Sequence, residues 1–196
     1  MVAGRKPHTS ALSPEYALLG LLAQGSAHGY ELHQKLIADL GQVWHISLSQ
    51  TYNILNRLEA QGFIVGAMQE QQKLPAKRLF SLTTQGKERF ERWLKATSAS
   101  SVRAIRLEFL TRLYFARTRS AEFAHQLIDA QLIGARTNLE RLRSLHQEIP
   151  EDQLTNRLGL ELRIRQFESI LEWLQSCHET IEVTPAPPFE AKKHDA

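Results

Sequence analysis

The 196 residues are enough for one domain or two small ones, and a 42% hydrophobic share with 23% charged residues is ordinary for a soluble globular chain. One cysteine, Cys177, excludes an internal disulfide and a cysteine-built zinc site. The apolar run from Tyr16 to Ala23 is far short of the roughly 20 residues that a membrane span needs. The formal net charge of +3 is unevenly divided: residues 1–100 carry 11 Lys and Arg against 7 Asp and Glu, and residues 101–196 carry 13 against 14, so only the first half suits a polyanion.

Met1 to Ser10 carries Arg5, Lys6 and Pro7 but no apolar h-region, and a cytoplasmic location is expected. From Ser13, with Pro14 at a first helical position, Leu18, Leu19 and Leu22 give a short amphipathic helix that stops before Gly25. After Gly29, the spacing of Tyr30, Leu32, Leu36, Ile37 and Leu40 predicts a second helix ending at Gly41. Ser47 followed three residues later by Gln50 is a capping box, and it opens a third helix that Gly62 closes.

Beyond Gly62 the period shortens. Phe63-Ile64-Val65, a polar stretch from Gln69 to Lys73, and Lys77 to Thr83 predict a β-hairpin, with Arg78, Phe80 and Leu82 on one face of its return strand. A fourth helix from Thr84 carries Phe90, Trp93 and Leu94, and Thr97 to Ser101 marks a boundary. The second half holds only helical signals. One helix spans Val102 to Arg117, with Ile105, Phe109, Leu110 and Leu113 as its apolar stripe. Ser120 caps a long second helix bearing Ile128, Leu132, Ala135, Leu139 and Leu142, and Ile149-Pro150 makes a turn. A last helix from about Gln153 to Ile181 aligns Leu160, Ile164, Phe167, Leu171 and Leu174.

The third helix carries the chemistry. At about 100° per residue, Leu48, Thr51, Leu55 and Leu58 fall on a core side. The other side presents Ser49, Gln50, Asn53, Asn56, Arg57 and Ala60, with no acidic residue and no large apolar one. Amides and arginines can bond base edges in pairs, hydroxyls can hold phosphates, and a small residue permits close approach to a groove wall. Glu59, at the edge of the core side, is expected to stay off the phosphates. On the hairpin, Lys73, Lys77 and Arg78 can reach backbone phosphate or the minor groove, or can guard an exposed strand edge. Two short helices, a capped helix and a hairpin are the order of parts in a winged helix-turn-helix.

The chain resembles the PadR-like transcriptional regulators. The resemblance is carried by Leu18-Leu19-Gly20-Leu21-Leu22, by His28-Gly29-Tyr30-Glu31-Leu32, by the stretch from Ser49 to Gly62, and by Lys77-Arg78-Leu79-Phe80-Ser81-Leu82-Thr83 with Gly86. It implies that Tyr52 bonds a phosphate, that Ser49, Gln50 and Asn53 meet DNA, and that a helical second half builds a two-fold dimer. That half is similar to the longer form found in virulence-activator regulators. Leu74-Pro75-Ala76 replaces the more basic run expected in the wing.

The expected fold class is mainly α with a small β-hairpin. Its parts are a flexible basic arm over 1–11, a winged helix-turn-helix DNA-binding domain over 12–97, an α-helical dimerisation domain over 101–183 and a disordered tail over 184–196. The expected function is a homodimeric regulator of a pseudo-palindromic site on double-stranded DNA, with repression where that site overlaps a promoter and release by a small-molecule effector. No cofactor, metal or catalytic residue is expected: there is no Gly-rich phosphate loop or paired-histidine motif, and His28 and His33 read as ordinary histidines. Trp44, Trp93 and Tyr114 read as core. The alternative is a winged-helix protein-interaction scaffold without specific DNA binding.

Overall fold

The structure, a computed structural model, describes residues 13–71 and 74–183, with the side chains of 70–77 and 182–183 outside the description. The expected arm over 1–11 and tail over 184–196 therefore lie outside the described residues. Contacts divide the chain into two compact units, one up to Trp93 and one from Leu94.

In the first unit, α1 (Glu15–Gln24) starts after Pro14, whose carbonyl accepts from Ala17 N and Leu18 N; Pro14 stands just ahead of the helix rather than at its first position. The helix is not amphipathic as expected. Ala17, Leu18, Leu19, Leu21 and Leu22 are all buried, because other elements pack around it. The strand β1 (Ala27–His28) was not foreseen, since two residues carry no period. It pairs antiparallel with the return strand of the hairpin, Ala27 opposite Phe80. Next, α2 (Gly29–Leu40) buries Leu32, Leu36 and Leu40.

The capping box forms as its sequence implies: Gln50 N donates to Ser47 Oγ at 3.2 Å, and Ser47 N donates to Gln50 Oε1 at 2.8 Å. It starts α3 (Leu48–Ala60), which buries Thr51, Ile54, Leu55 and Leu58. Gly62 ends the turn at φ +75°, a conformation costly for residues with a β-carbon, and Phe63 N reaches back to Leu58 O at 2.9 Å.

The hairpin β2 (Ile64–Gln71) and β3 (Leu74–Leu82) runs from Ile64 opposite Leu82 to Gln71 opposite Leu74, with an irregularity between Gln69 and Gln71. The sheet order is β1-β3-β2. Thr83 Oγ1 donates to Gly62 O at 2.7 Å and accepts from Gly86 N at 3.1 Å, so one hydroxyl joins the exit of α3 to the start of α4 (Thr84–Lys95). Trp93 of α4 is buried and stacks on Tyr16 at 4.6 Å with 6° between the rings. Trp44 is buried too.

One polar group joins these helices inside the core. The Glu15 carboxylate, 1% exposed, accepts from Arg57 Nε at 2.6 Å and from Arg89 Nη2 at 3.0 Å. The Arg89 guanidinium in turn lies 4.2 Å from the Phe63 ring centroid and 5.2 Å from that of Tyr16. A carboxylate at this depth is tolerated only because two cations compensate it.

In the second unit, Ser101 caps a helix that was expected to be regular and is not. It runs as α5 (Val102–Ala104), a π turn (Ile105–Phe109) and α6 (Leu110–Arg117). The wider π turn shifts the apolar stripe, so Leu107 and Glu108 turn inward and Leu110 is only half-buried. Glu108 is neutralised by Arg112 at 2.5 Å, and Arg112 Nη1 donates to Ser98 Oγ at 2.9 Å. Tyr114 is half-buried, its ring edge-on to Phe115.

As expected, Ser120 caps the long α7 (Ala121–Glu148), accepting from Phe123 N at 3.0 Å. After the turn at Ile149-Pro150, α8 (Leu154–Val183) returns antiparallel, with Arg143 on Glu168 at 2.7 Å and His178 Nε2 on Asp129 at 2.9 Å. The core between them holds Ile128, Leu132, Leu139, Leu142, Leu160, Phe167 and Leu174. Cys177 is half-buried, which pushes its thiol up to about 11 and keeps it protonated at neutral pH. No helix among the described residues is long and apolar enough to cross a membrane.

Replacing Glu15 by Ala leaves the buried Arg89 without its carboxylate. A loss of about 3–5 kcal/mol in the stability of the first unit is expected in urea unfolding followed by the fluorescence of Trp44 and Trp93 in a Trp173→Phe background. A loss below about 1 kcal/mol would mean that Glu15 is not the junction of the three helices.

Candidate nucleic-acid interface

The structure brings one group of the candidate residues together. Ser49, Gln50, Tyr52, Asn53, Asn56 and Arg57 all lie on the exposed face of α3. They follow from the helix period, because the buried set Thr51, Ile54, Leu55 and Leu58 fixes which way the rest must point. The side chains of Ser49, Asn53 and Asn56 make no hydrogen bond among the described residues, so their donors and acceptors stay open to a ligand. The one acidic residue of the helix, Glu59, is half-buried at the edge of this face.

The two arginines stand differently. Arg57, with half of its side chain exposed, leans back onto Glu15. Arg78 gives two bonds from Nη2 to Glu59, 2.7 Å to each carboxylate oxygen. Both cations are held by carboxylates of the same chain. Lys73 lies outside the described residues. The Lys77 backbone sits in β3 opposite Gln69, and its side chain lies outside the description.

Three contacts were not legible in advance. The Tyr52 ring covers the first residue of α2: a β-carbon on Gly29 would lie 2.5 Å from Tyr52 Cε1 and 3.2 Å from its hydroxyl oxygen. Only a residue without a side chain lets the two helices meet there, and the sequence marks that need only by a glycine at a helix start. Below it, His33 Nδ1 donates to Thr51 Oγ1 at 3.0 Å, and the Thr51 hydroxyl donates on to Ser47 O at 3.2 Å. His28 Nδ1 donates to Arg78 O at 3.1 Å. No group of three metal-ligating side chains able to hold an ion occurs among the described residues.

Gly29→Ala forces Tyr52 off its seat, and an overpacking cost of about 1–3 kcal/mol is expected by denaturant unfolding. The double variant with Tyr52→Ala should recover most of that loss. No recovery would place the strain elsewhere.

Comparison with known proteins gives the family. Residues 18–92 match the transcriptional regulator PadR-like family, and residues 105–182 match the virulence activator alpha C-terminal family. The negative transcriptional regulator PadR of Bacillus subtilis (strain 168) is 30% identical over 171 residues, covering 83% of this chain and 93% of the relative. Among solved structures, Bacillus subtilis PadR in complex with operator DNA aligns at 26% identity and a TM-score of 0.43, over 85% of this chain and 96% of that one. The same protein in complex with p-coumaric acid aligns at 24% identity and a TM-score of 0.39, over 92% and 100%. The chain belongs to the PadR-like family of transcriptional regulators.

Proposed function

We propose that this regulator binds a pseudo-palindromic DNA operator as a homodimer, with α3 of each protomer in the major groove and the wing on the flanking backbone. The observation that carries the reading is the outward face of α3: Ser49, Gln50, Asn53 and Asn56 are exposed there, and the helix's one carboxylate is tied up by Arg78. Asparagine amides offer the paired donor and acceptor that base edges require, while Tyr52 and Ser49 offer hydroxyls to phosphate. Glu15 is shared by Arg57 and Arg89, so that group keeps a net positive charge beside the face, and the sequence adds Lys73 and Lys77 to the hairpin.

The homodimer is supported by α8. Leu154, Leu158 and Leu162 recur every four residues and are 63%, 54% and 59% exposed, an apolar stripe that the α7–α8 pair does not cover. A two-fold partner presenting the same stripe would bury it, and would fix the spacing of two recognition helices at one helical turn of DNA or a multiple. Repression as the output, and release by a small-molecule effector, rest on the Bacillus relative, whose name is that of a negative regulator and whose structures include operator DNA and p-coumaric acid.

Selection of bound duplexes from a random pool at physiological salt tests the reading. A two-fold symmetric motif is expected; no motif and no salt-dependent duplex binding would favour a protein-interaction scaffold. On the selected duplex, Asn53→Ala should lower affinity by about 1–3 kcal/mol and leave binding to unrelated duplexes nearly unchanged. Equal losses on every sequence would remove Asn53 from base reading.

Leu158→Glu should shift the chain from dimer to monomer in sedimentation equilibrium at micromolar concentration, with the first unit still folded. An unchanged dimer mass would place the interface elsewhere.

A further inference from the structure

We infer that Glu59 and Arg78 form a positioning clamp that sets the angle of the wing against the recognition helix, and that Arg78 acts on DNA through this clamp rather than as a phosphate ligand. The inference rests on the DNA-binding reading above and assigns these two residues a role within it.

Four groups from three elements converge at the clamp. Glu59 is the second-last residue of α3. Its Oε1 accepts from Arg78 Nη2 of β3 at 2.7 Å and from the backbone N–H of Gly66 in β2 at 2.9 Å, and its Oε2 accepts from Arg78 Nη2 at 2.7 Å. The guanidinium lies 5.3 Å from the centroid of the Phe80 ring, one of the most deeply buried side chains of the unit. Room for this exists only because residue 66 is glycine: a β-carbon there would sit 2.5 Å from Arg78 Nε, 3.0 Å from Glu59 Oε1 and 3.1 Å from Phe80 Cε1. Both strands of the hairpin are thus tied to the end of α3 by one carboxylate.

The charges argue the same way. A lone Glu59 beside a phosphate chain would be repelled, and a lone Arg78 would be attracted; paired at 2.7 Å they present almost no net charge to a polyanion. Arg78 spends Nη2 on the two oxygens of Glu59, so a phosphate could meet only Nε and Nη1, on a cation whose charge Glu59 already offsets. Held in place, the pair fixes where the basic end of the hairpin lies relative to the groove that α3 enters.

The signs of the expected effects separate clamp from ligand. Glu59→Gln removes a negative charge and on simple electrostatics should tighten binding; the clamp requires that it weaken binding to the selected duplex by about tenfold. Arg78→Gln and Arg78→Lys should weaken it to a similar degree, because lysine keeps the charge but cannot reproduce the planar guanidinium on Phe80 and Glu59. The double variant Glu59→Gln/Arg78→Gln should be no worse than either single one, with the slope of log K against log salt unchanged throughout. Gly66 amide exchange should accelerate in each single variant, and the unfolding transition of the first unit should show that all are folded.

The role is overturned if Arg78→Gln lowers the salt slope by about one while Arg78→Lys does not, or if Glu59→Gln tightens binding; Arg78 is then a phosphate ligand. It is overturned equally if Gly66 exchange is unaffected in the folded variants. Absence of salt-dependent duplex binding by the unaltered chain would instead overturn the DNA reading itself.

Discussion

The first unit is organised around a carboxylate that is almost wholly withdrawn from water. Glu15 sits in the opening turn of α1, and the two guanidinium groups that neutralise it come from α3 and α4, so three helices are registered by one buried charge. Burial of Leu18, Leu55 and Phe90 holds these helices together but leaves their sliding only weakly determined, whereas a buried ion must meet its partners at hydrogen-bond distance. The end of α3 is fixed on that side by Arg57 and on the other by Glu59. Between these two anchors and the capping box, Asn53 and Asn56 are left on the surface with uncommitted amides.

Much of this was legible where the determining contact is local. The Ser47–Gln50 capping box, the Ser120 cap, the buried stripe of α3 and the face shared by Arg78 and Phe80 all span a few residues, and period and cap chemistry are enough to place them. Arg57 shows the opposite case. Its position on the helix followed from the period, but its partner lies 42 residues away, and an arginine on a polar face looks the same whether it meets water, a phosphate or a carboxylate. The strand at Ala27 and His28 escaped for a related reason: its pairing with β3 is set by where the chain returns, not by its own two residues.

The second unit hides its departures differently. The sequence over Val102 to Arg117 fits a regular helix, and nothing in residue type announces that one turn widens. With the π turn in place, Glu108 and Arg112 both point inward and neutralise each other, so the irregularity and the buried pair come together. Such a pair adds little net stability over apolar residues of the same shape, but it penalises any other register of the helix, in which one of the charges would lie buried alone. The leucines at 154, 158 and 162 were not on the expected core stripe of α8, and the structure leaves them outside it.

The capping box has a chemical corollary for the face it begins. Gln50 commits its amide oxygen to Ser47 N, while its N–H groups make no hydrogen bond among the described residues. In the proposed DNA complex that amide would meet a base edge chiefly as a donor, which suits the acceptors of guanine or the O4 of thymine better than the donor-and-acceptor pair of adenine. Asn53 and Asn56, one and two turns further along, keep both halves of their amides. On the proposed reading, the same functional group on one helix would favour different letters according to whether the helix start has already claimed its oxygen.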